Sequence, residues 1–438
     1  MSFRSAYIPV MIALLTISAA VFANAPIRQE ETGTGAGLQD LRWKKVVIPI
    51  AFSNSLLRAN SAIRPEADVA GAVRRSLDAW EAAAAVEFQV SWTDRTTVSP
   101  AGNAGDGVSL VTIAPTPENL AIFSSDAGDT SARTRVFFNR RGIISEADIV
   151  LNPYQQFSTD GALGTFDLEA TLTHEIGHLL GLEHSLVSGA TMHEFQGKNG
   201  VYNLSGFSPR TLSEDDVASV RALYGTGSAE ECCGALEGKI QTPAGRTAKN
   251  LQLWLEEKAA GRVARAVRLD ADKNFRLGGL TPGAYRVFVR DESDLSAQSL
   301  GEIEVTKGRT TLLQKKISPA ARDFDVQYVG FNGQLSKLAV SVNGGKSFQI
   351  YLGGKNLDPE DFVIGSSSPH VSVARVDQHP LDYGKDLSVL SLEVRIEPDT
   401  PAGDYTLYLT SQDGSADYLI GALTVEKFLN PWSNYILN

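Results

Sequence analysis

The chain is poor in cysteine and histidine, and beyond its N-terminus it has no long apolar run. Only two of its 438 residues are cysteine, and they are adjacent at Cys232-Cys233. Adjacent cysteines cannot link distant parts of a fold, so a disulfide-stapled scaffold is excluded and packed apolar cores are expected. Three states of the pair remain open: a vicinal disulfide, a bridge between two molecules, or two free thiols.

Positive charge is also scarce relative to negative charge. The chain has 40 Lys and Arg against 51 Asp and Glu, a formal net charge of −11. This balance argues against nucleic acid as a partner. A content of 43% hydrophobic and 21% charged residues is that of a globular chain, here long enough for two or three domains.

Residues 1–23 have the pattern of a secretory signal peptide. Arg4 gives a positive start, an apolar run follows, and the stretch ends in small residues, which favours cleavage after Ala23. A membrane anchor needs about 20 apolar residues, and this run is shorter and broken by Pro9. The sequence therefore predicts export, with no transmembrane segment in the mature chain.

Three of the six histidines fall in one short segment, as His174, His178 and His184. On a helix His174 and His178 share one face, and Glu175 can reach a metal-bound water without being a ligand. Gly181 can end the helix in a left-handed conformation, which lets His184 return as a third ligand. The segment predicts a catalytic zinc held by three imidazoles, with Glu175 as general base.

The longer pattern H-E-x-x-H-x-x-G-x-x-H, followed by Met192, resembles the metzincins. Ser185, directly after the third histidine, resembles the matrixin branch of that family. The resemblance implies a zinc endopeptidase acting on protein or peptide substrates, with Met192 as an apolar floor beneath the metal. His193 is interpreted as a loop residue near the pocket wall with an exposed side chain.

Residues 41–226 are predicted to form the catalytic domain. An amphipathic helix begins near Val69, and a last helix runs from a capping box at Ser213 to Gly225. Asp167 is the predicted cap of the zinc helix, and Trp43 and Trp80 are predicted core residues. The predicted strands of this domain are 45–52, 86–92, 108–113, 134–138 and 147–151. Their order resembles that of matrixin catalytic domains.

Two features of animal matrixins have no counterpart here. No histidine precedes His174, so the second, structural zinc of those enzymes is not expected. No cysteine precedes Cys232, so their propeptide cysteine latch is not expected either, and a chain starting at Asn24 is predicted to need no activating cleavage. Loop aspartates of the type that can bind calcium usually cap turns, and no calcium site is predicted at Asp126, Asp129 or Asp148.

After a Gly225–Glu231 linker the pattern becomes all-β. Residues 234–318 resemble a carboxypeptidase-regulatory-like sandwich through the turn at 278–285, and residues 319–428 resemble a bacterial immunoglobulin-like module through the turn and strand at 399–409. Neither His370 nor His379 has a ligand-spaced partner, so no metal is predicted there. Residues 24–40 read as a flexible leader, and the 429–438 tail has no interpretation.

The predicted protein is therefore multidomain: an α/β (α+β) metzincin catalytic domain, with a mixed twisted sheet and an active-site helix, followed by two all-β sandwich modules. Its predicted function is a secreted zinc endopeptidase whose modules direct it to an extracellular matrix, cell-surface or other large target without supplying chemistry. A fragment ending near Gly227 is accordingly expected to cleave short peptides. The alternative is a surface-binding or adhesive protein with a vestigial peptidase domain, or one acting on a single dedicated partner.

Overall fold

The structure is a computed structural model, and it describes most of the chain. Residues 24–39 of the predicted leader, most of the signal segment, Asp126, Asp129 and the tail lie outside the described residues. Those described are 21–22, 40–45, 47–102, 104–123, 130–200, 210–227, 232–242, 250–292, 295–318, 320–331, 333–379 and 387–426.

The N-terminal unit is built on a mixed seven-stranded sheet. Its strands are β1 (Val21–Phe22), β2 (Arg42–Trp43), β3 (Val47–Ser53), β4 (Glu87–Thr93), β5 (Leu110–Thr112), β6 (Ala132–Phe138) and β7 (Ile143–Leu151). The order along the sheet is β1-β6-β7-β5-β3-β4, with β2 also paired to β7. Strands β3, β4, β5 and β7 run parallel, whereas β6 is antiparallel to β7 and to β1.

Four α-helices and three short elements complete this unit. They are the 3-10 turn Asn54–Leu56, α1 (Val69–Ala83), α2 (Pro117–Ala121), the strand pair β8 (Phe157–Ser158) and β9 (Phe166–Asp167), α3 (Leu168–Leu179) and α4 (Glu214–Tyr224). The predicted capping box at Ser213 is present, and Gly225, at φ 73°, follows the last residue of α4.

Helices α1 and α3 pack against each other, and all residues of α3 are buried. The Trp80 indole donates to the Thr173 carbonyl (2.9 Å), and the Trp43 indole donates to the Leu179 carbonyl (2.8 Å). Both tryptophans are buried, which confirms their predicted place in the core. Their hydrogen bonds also fix the position of α3 along its axis, because each bond joins a rigid ring to a backbone oxygen of that helix.

Residues 234–316 form two facing sheets around one apolar core. One sheet has the order β13-β10-β16 and the other the order β12-β11-β14-β15. The strands are β10 (Gly234–Gln241), β11 (Leu251–Glu257), β12 (Val263–Arg268), β13 (Asn274–Leu280), β14 (Gly283–Asp291), β15 (Gln298–Val305) and β16 (Thr310–Lys316). We call this unit the first β module.

Residues 325–425 form a second pair of sheets with their own core. The sheet orders are β18-β17-β20-β23-β22 and β19-β25-β24-β21. The strands are β17 (Asp325–Phe331), β18 (Gln334–Ser336), β19 (Val340–Val342), β20 (Ser347–Lys355), β21 (Phe362–Ser366), β22 (Val371–Gln378), β23 (Ser388–Ile396), β24 (Gly403–Ser411) and β25 (Ala416–Val425). We call this unit the second β module.

Both modules pack directly on the N-terminal unit. Helix α4 lies against β12 and β13, and Val187 and Ala190 share an apolar cluster with Trp254 of the first module and Ile420 of the second. The sequence predicted only that the modules supply no catalytic residue, and it did not anticipate this contact between the modules and residues 187–190. The absence of ligand-type residues in the modules, on which that prediction was based, gives no information about packing.

Two further expectations are resolved by the described residues. Cys232 and Cys233 form a vicinal disulfide. His370 does have a partner: its Nδ1 lies 2.8 Å from Glu397 Oε2, and Asp399 lies close by, because the fold brings together residues that are far apart in the sequence. His370 is half-buried and the two carboxylates are exposed, and exposed acidic groups are common without an ion, so the group carries no metal assignment.

None of the helices in the described part of the chain has the length and apolar content needed to cross a membrane.

Candidate active site

Helix α3 is fixed at its N-terminus by a ring of polar contacts. Asp167 accepts a hydrogen bond from the backbone amide of Ala170 (2.9 Å), as expected for a cap, and it also pairs with Arg210 (2.6 Å). Glu169, in the first turn, pairs with Arg75 of α1 (2.7 Å). Negative charge at this end complements the helix dipole, so these contacts favour the helix and fix its start.

The structure brings His174, His178 and His184 together. One ring nitrogen from each lies within 4.8 Å of the others, and His178 Nε2 is 3.1 Å from His184 Nε2. The ring centroids are 4.7 to 5.3 Å apart. His174 and His178 are almost fully buried, at 5% and 3% exposed. The helical spacing of the first two and the turn before the third thus produce the predicted convergence.

Backbone carbonyls set the ring orientation of the two helical histidines. His174 Nδ1 lies 2.7 Å from the Thr191 carbonyl and His178 Nδ1 lies 2.9 Å from the Leu182 carbonyl. A carbonyl can only accept, so each Nδ1 carries the proton and each Nε2 is left as a free lone pair. The sequence pattern did not reveal these two carbonyls, which lie in the loop after the helix.

Burial keeps the three imidazoles neutral. Desolvation lowers the pKa of His174 to about 4 and is the main cause that lowers the pKa of His184 to about 3. The pKa of His178 is also lowered, by burial and then by the neighbouring histidines. Neutral imidazoles with converging lone pairs are the donor set that zinc prefers, so the residues present fit a zinc ion.

Gly181 makes the turn that returns His184 to the group. Its φ is +96°, and a Cβ there would lie 2.3 Å from the Leu41 carbonyl oxygen. Its amide donates to the His178 carbonyl (2.9 Å), which closes the helix. The turn thus requires a glycine both for its backbone angle and for its contact with Leu41.

The end of α3 is also held from two other directions. The Tyr224 hydroxyl, at the end of α4, donates to the Leu180 carbonyl (2.5 Å) and accepts from the Trp43 amide (3.1 Å). The turn before His184 therefore depends on residues from both ends of the N-terminal unit.

Glu175 faces strand β6, where Thr134 Oγ1 donates to its Oε2. The carboxylate is 4% exposed, and burial raises its pKa to about 7, although the Thr134 hydrogen bond and the charge of Arg133 act in the opposite direction. Thr134 lies 41 positions before Glu175 and belongs to no recognisable motif, so sequence reasoning missed it.

Met192 packs against helix α3 and is 2% exposed. It packs so closely on α3 that a Cβ at Gly177 would lie 2.2 Å from its sulfur and 2.9 Å from Trp80. His193, expected to be exposed, is instead 8% exposed, with Nδ1 3.3 Å from the Ser185 carbonyl and its ring beside Phe195. The expectation was wrong because the chain after Met192 folds back to bridge Ser185.

The matrixin family model matches residues 128–225, which include α3, the third histidine, Met192 and α4. Among curated proteins, the hatching enzyme of Paracentrotus lividus is 33% identical over 98 residues, and metalloendoproteinase 1-MMP of Arabidopsis thaliana is 46% identical over 63 residues. These matches cover 21% and 14% of this chain, and only 15% and 14% of the two relatives.

Solved structures give a weaker likeness. The major pilin subunit of Bacillus cereus is matched with a TM-score of 0.18 and 13% identity, covering 42% of this chain and 66% of the pilin. A TM-score at this level does not establish a shared fold. The family match and the curated metalloproteinase relatives together show that this chain carries a matrixin-like metzincin domain over residues 128–225.

Proposed function

We propose that this protein is a secreted endopeptidase that depends on one zinc ion, with His174, His178 and His184 as its ligands and Glu175 as general base. The observation that carries the proposal is the convergence of three neutral imidazoles, two of them buried on helix α3, beside the buried carboxylate of Glu175 on that helix. The matrixin match over residues 128–225 supports the reaction class.

Each residue then has a defined task. When bound, zinc in this donor set supplies Lewis acidity, which lowers the pKa of a coordinated water to about 7 and polarises a peptide carbonyl. The Thr191 and Leu182 carbonyls keep the rings of His174 and His178 turned so that Nε2 faces the centre. Since Thr134 holds Oε2 of Glu175, Oε1 is the atom that accepts the proton from water and passes it to the leaving amine.

The supporting contacts keep Glu175 from becoming a fourth ligand. The group of converging ligand atoms among the described residues contains the three histidines and not this carboxylate. Its hydrogen bond to β6 draws it to one side of the group, where it can act on water. This separation of base from ligands is what general base catalysis at a metal site requires.

Export and substrate class complete the proposal. The N-terminal pattern of Arg4, an apolar run and Ala23 supports secretion, and the peptidase class implies peptide or protein substrates. Mass spectrometry of the mature N-terminus would test the first point, with Asn24 as the expected first residue. Digestion of a diverse peptide library by the purified full-length protein would test the second.

The central test is the variant Glu175→Ala in the full-length chain. We expect one zinc per chain in both proteins, and a kcat lower by roughly 10²–10⁴-fold in the variant, because the proton acceptor is lost while the ligands stay. Metal analysis and a peptide-cleavage assay measure the two quantities. Near-normal turnover by the variant, or a parent chain that binds no zinc, would refute the proposal.

A further inference from the structure

The loop that joins the third histidine to Met192 is held at both ends by two neighbouring carboxylates of α4. We call residues 185–191 the bridging loop. Ser185 Oγ donates to Asp215 Oδ2 (2.6 Å), and the Thr191 amide donates to Asp216 Oδ2 (2.9 Å). The Met192 amide also donates to Asp216 (3.1 Å). Since Ser185 follows His184, and the Thr191 carbonyl holds His174, both ends of the loop bear directly on metal-site histidines.

The second carboxylate oxygen of Asp215 accepts hydrogen bonds from the first β module. Arg265 Nη1 lies 2.8 Å from Asp215 Oδ1, and the backbone amide of Ala266 donates to the same oxygen (2.8 Å). The side chain of Asp215 is 2% exposed and that of Arg265 is 16% exposed. A buried carboxylate is stable only with close hydrogen-bond donors. Strand β12 supplies two such donors to Asp215, which leaves the other oxygen of Asp215 to accept the hydrogen bond from Ser185.

The middle of the bridging loop rests on both modules. The Ser188 amide donates to the Ile420 carbonyl of β25 (2.9 Å), and the Ser188 carbonyl accepts from the Ala339 amide (3.3 Å). Val187 is fully buried in the cluster that contains Trp254 and Ile420. The loop is therefore enclosed by residues that lie far beyond the matrixin-like segment.

We propose that Arg265 is a positioning residue for the zinc site, acting through Asp215 and Ser185 on His184, so that the β modules are structural parts of the catalytic centre. This inference rests on the proposed function. It differs from a purely structural role, because the chain Arg265, Asp215, Ser185 ends at a metal-site histidine. Loss of Arg265 should therefore change metal retention and turnover before it changes substrate affinity.

The test uses the full-length protein and the variant Arg265→Met, which keeps the length of the side chain and removes its charge and donors. The zinc-loaded proteins are mixed with an excess of a chromogenic chelator, and the rate of zinc release is measured along with kcat and KM on one peptide. We expect zinc release to be faster and kcat lower by roughly 10–100-fold, as for other residues that orient metal ligands, with KM changed less than about threefold.

The matched control is Arg276→Met. Arg276 lies in the same module, and its ion pair with Glu237 (3.8 Å) is mostly exposed, with the arginine side chain 72% exposed. All quantities in this variant should stay within about twofold of the parent, because exposed ion pairs contribute little. Arg265→Lys, which keeps the charge but loses the guanidinium geometry, should fall between Arg265→Met and the parent.

A double-mutant cycle decides whether the effect passes through Ser185. Ser185→Ala removes the hydrogen bond at the other end of the chain of contacts. If Arg265 acts through Asp215 and Ser185, the double variant Ser185→Ala/Arg265→Met should lose little more than the more affected single variant. If the fold-changes of the two single variants multiply in the double variant, Arg265 acts independently of Ser185 and the inference is overturned.

Two other outcomes also overturn it. Arg265→Met could fold and lose thermal stability while keeping parental zinc release and kcat, which would make the contact structural only. If Arg265→Met does not fold, Arg265→Lys decides the question by the same rates, and parental values there would be equally adverse. A parent that neither binds zinc nor cleaves peptides defeats the proposed function itself, a result that the parent alone reveals.

Discussion

Helix α3 and the bridging loop contribute to the proposed metal site in opposite ways. In α3, the two histidines and Glu175 are placed by helical spacing, and the partners that fix the helix lie inside the N-terminal unit. The bridging loop has no regular structure of its own, and its conformation depends on Asp215, Arg265 and Ile420. One half of the site is therefore encoded locally, and the other half is assembled from three separate parts of the chain.

The difference explains why a single local motif can predict a reaction class without describing the contacts that hold the proposed site. A motif records the ligands and the base, because their spacing is fixed by helix geometry. It does not record the surface on which the third ligand rests. In this chain that surface is provided by two β modules.

The largest effect is expected from removing the modules altogether. A chain ending at Gly227 would leave Asp215 without Arg265 and would expose Val187 and its apolar neighbours. We expect zinc retention and peptide cleavage to fall by about 10²-fold or more, contrary to the expectation from sequence. Circular dichroism, zinc analysis and a peptide assay measure the outcome.

The control for this truncation is a chain ending at Glu426, which retains all the described residues downstream of Gly227 and should behave as the parent does. A soluble, zinc-loaded 24–227 fragment that cleaves short peptides at the parental rate would show that the bridging loop is stable alone. In that case the loop, like α3, would depend only on contacts within the N-terminal unit.

A smaller effect is expected from a single cavity in the shared cluster. Ile420→Ala should lower the free energy of unfolding by about 2–5 kcal/mol, because Ile420 is 4% exposed and packs with Val187 across the junction. Chemical denaturation measures this value. Val363→Ala in the same module is the control, since Val363 is 72% exposed and its loss should cost less than about 0.5 kcal/mol. Equal effects would mean that the junction is loosely packed.

The α3 side of the comparison can be tested by overpacking. Gly177→Ala places a methyl group against the sulfur of Met192 and the ring of Trp80, and should lower the free energy of unfolding by about 1–3 kcal/mol. The control is Gly227→Ala, where a Cβ has no atom within 4 Å. A Gly177→Ala protein as stable as its control would show that Met192 can move aside and that it does not fix the floor of the site.

The smallest effect concerns pH and Asp404 of β24. Burial raises the pKa of this carboxyl to about 7, with the Thr424 hydrogen bond opposing and Asp216, Asp215 and Glu214 of α4 adding to the rise. The folded chain thus binds a proton that the unfolded chain releases near pH 4, so stability from this group is present at low pH and is lost as the pH rises through about 7.

Asp404→Asn should therefore be more stable than the parent at pH 8, by on the order of 1–2 kcal/mol, and should show a flatter dependence of stability on pH between about 4 and 7. Urea unfolding across this range measures the slope. Asp413→Asn is a suitable control because Asp413 is an exposed residue of the same module. Parallel slopes for the parent and Asp404→Asn would show that Asp404 is charged in the folded protein.

The sequence was sufficient wherever a single element determined the outcome. The Asp167 and Ser213 caps, the need for a turn at Gly181 and the shared face of His174 and His178 each follow from spacing within one element or one turn. The alternating strands after residue 234 were equally readable, because a half-buried strand has period two.

The partners of these elements could not be predicted in the same way. Thr134 and Arg265 look like ordinary strand residues, and only the folded chain places them beside Glu175 and Asp215. His193 was misjudged for the same reason, since its burial depends on the return of the chain to Ser185. Contacts between distant segments follow from tertiary packing, and tertiary packing produces no periodic pattern of residues that could be recognised in the sequence.

The bond from Tyr224 to the Leu180 carbonyl has a consequence for the order of events during synthesis. The three histidines emerge from the ribosome within one short stretch. Tyr224, which fixes the turn before His184, and Arg265 and Ile420, which hold the loop after it, emerge afterwards. A nascent chain that ends just after His184 contains all three histidines but none of the residues that hold them in place. Metal capture in the mature geometry thus belongs to the finished chain, and a protein exported unfolded would complete its site only after it has left the cell interior.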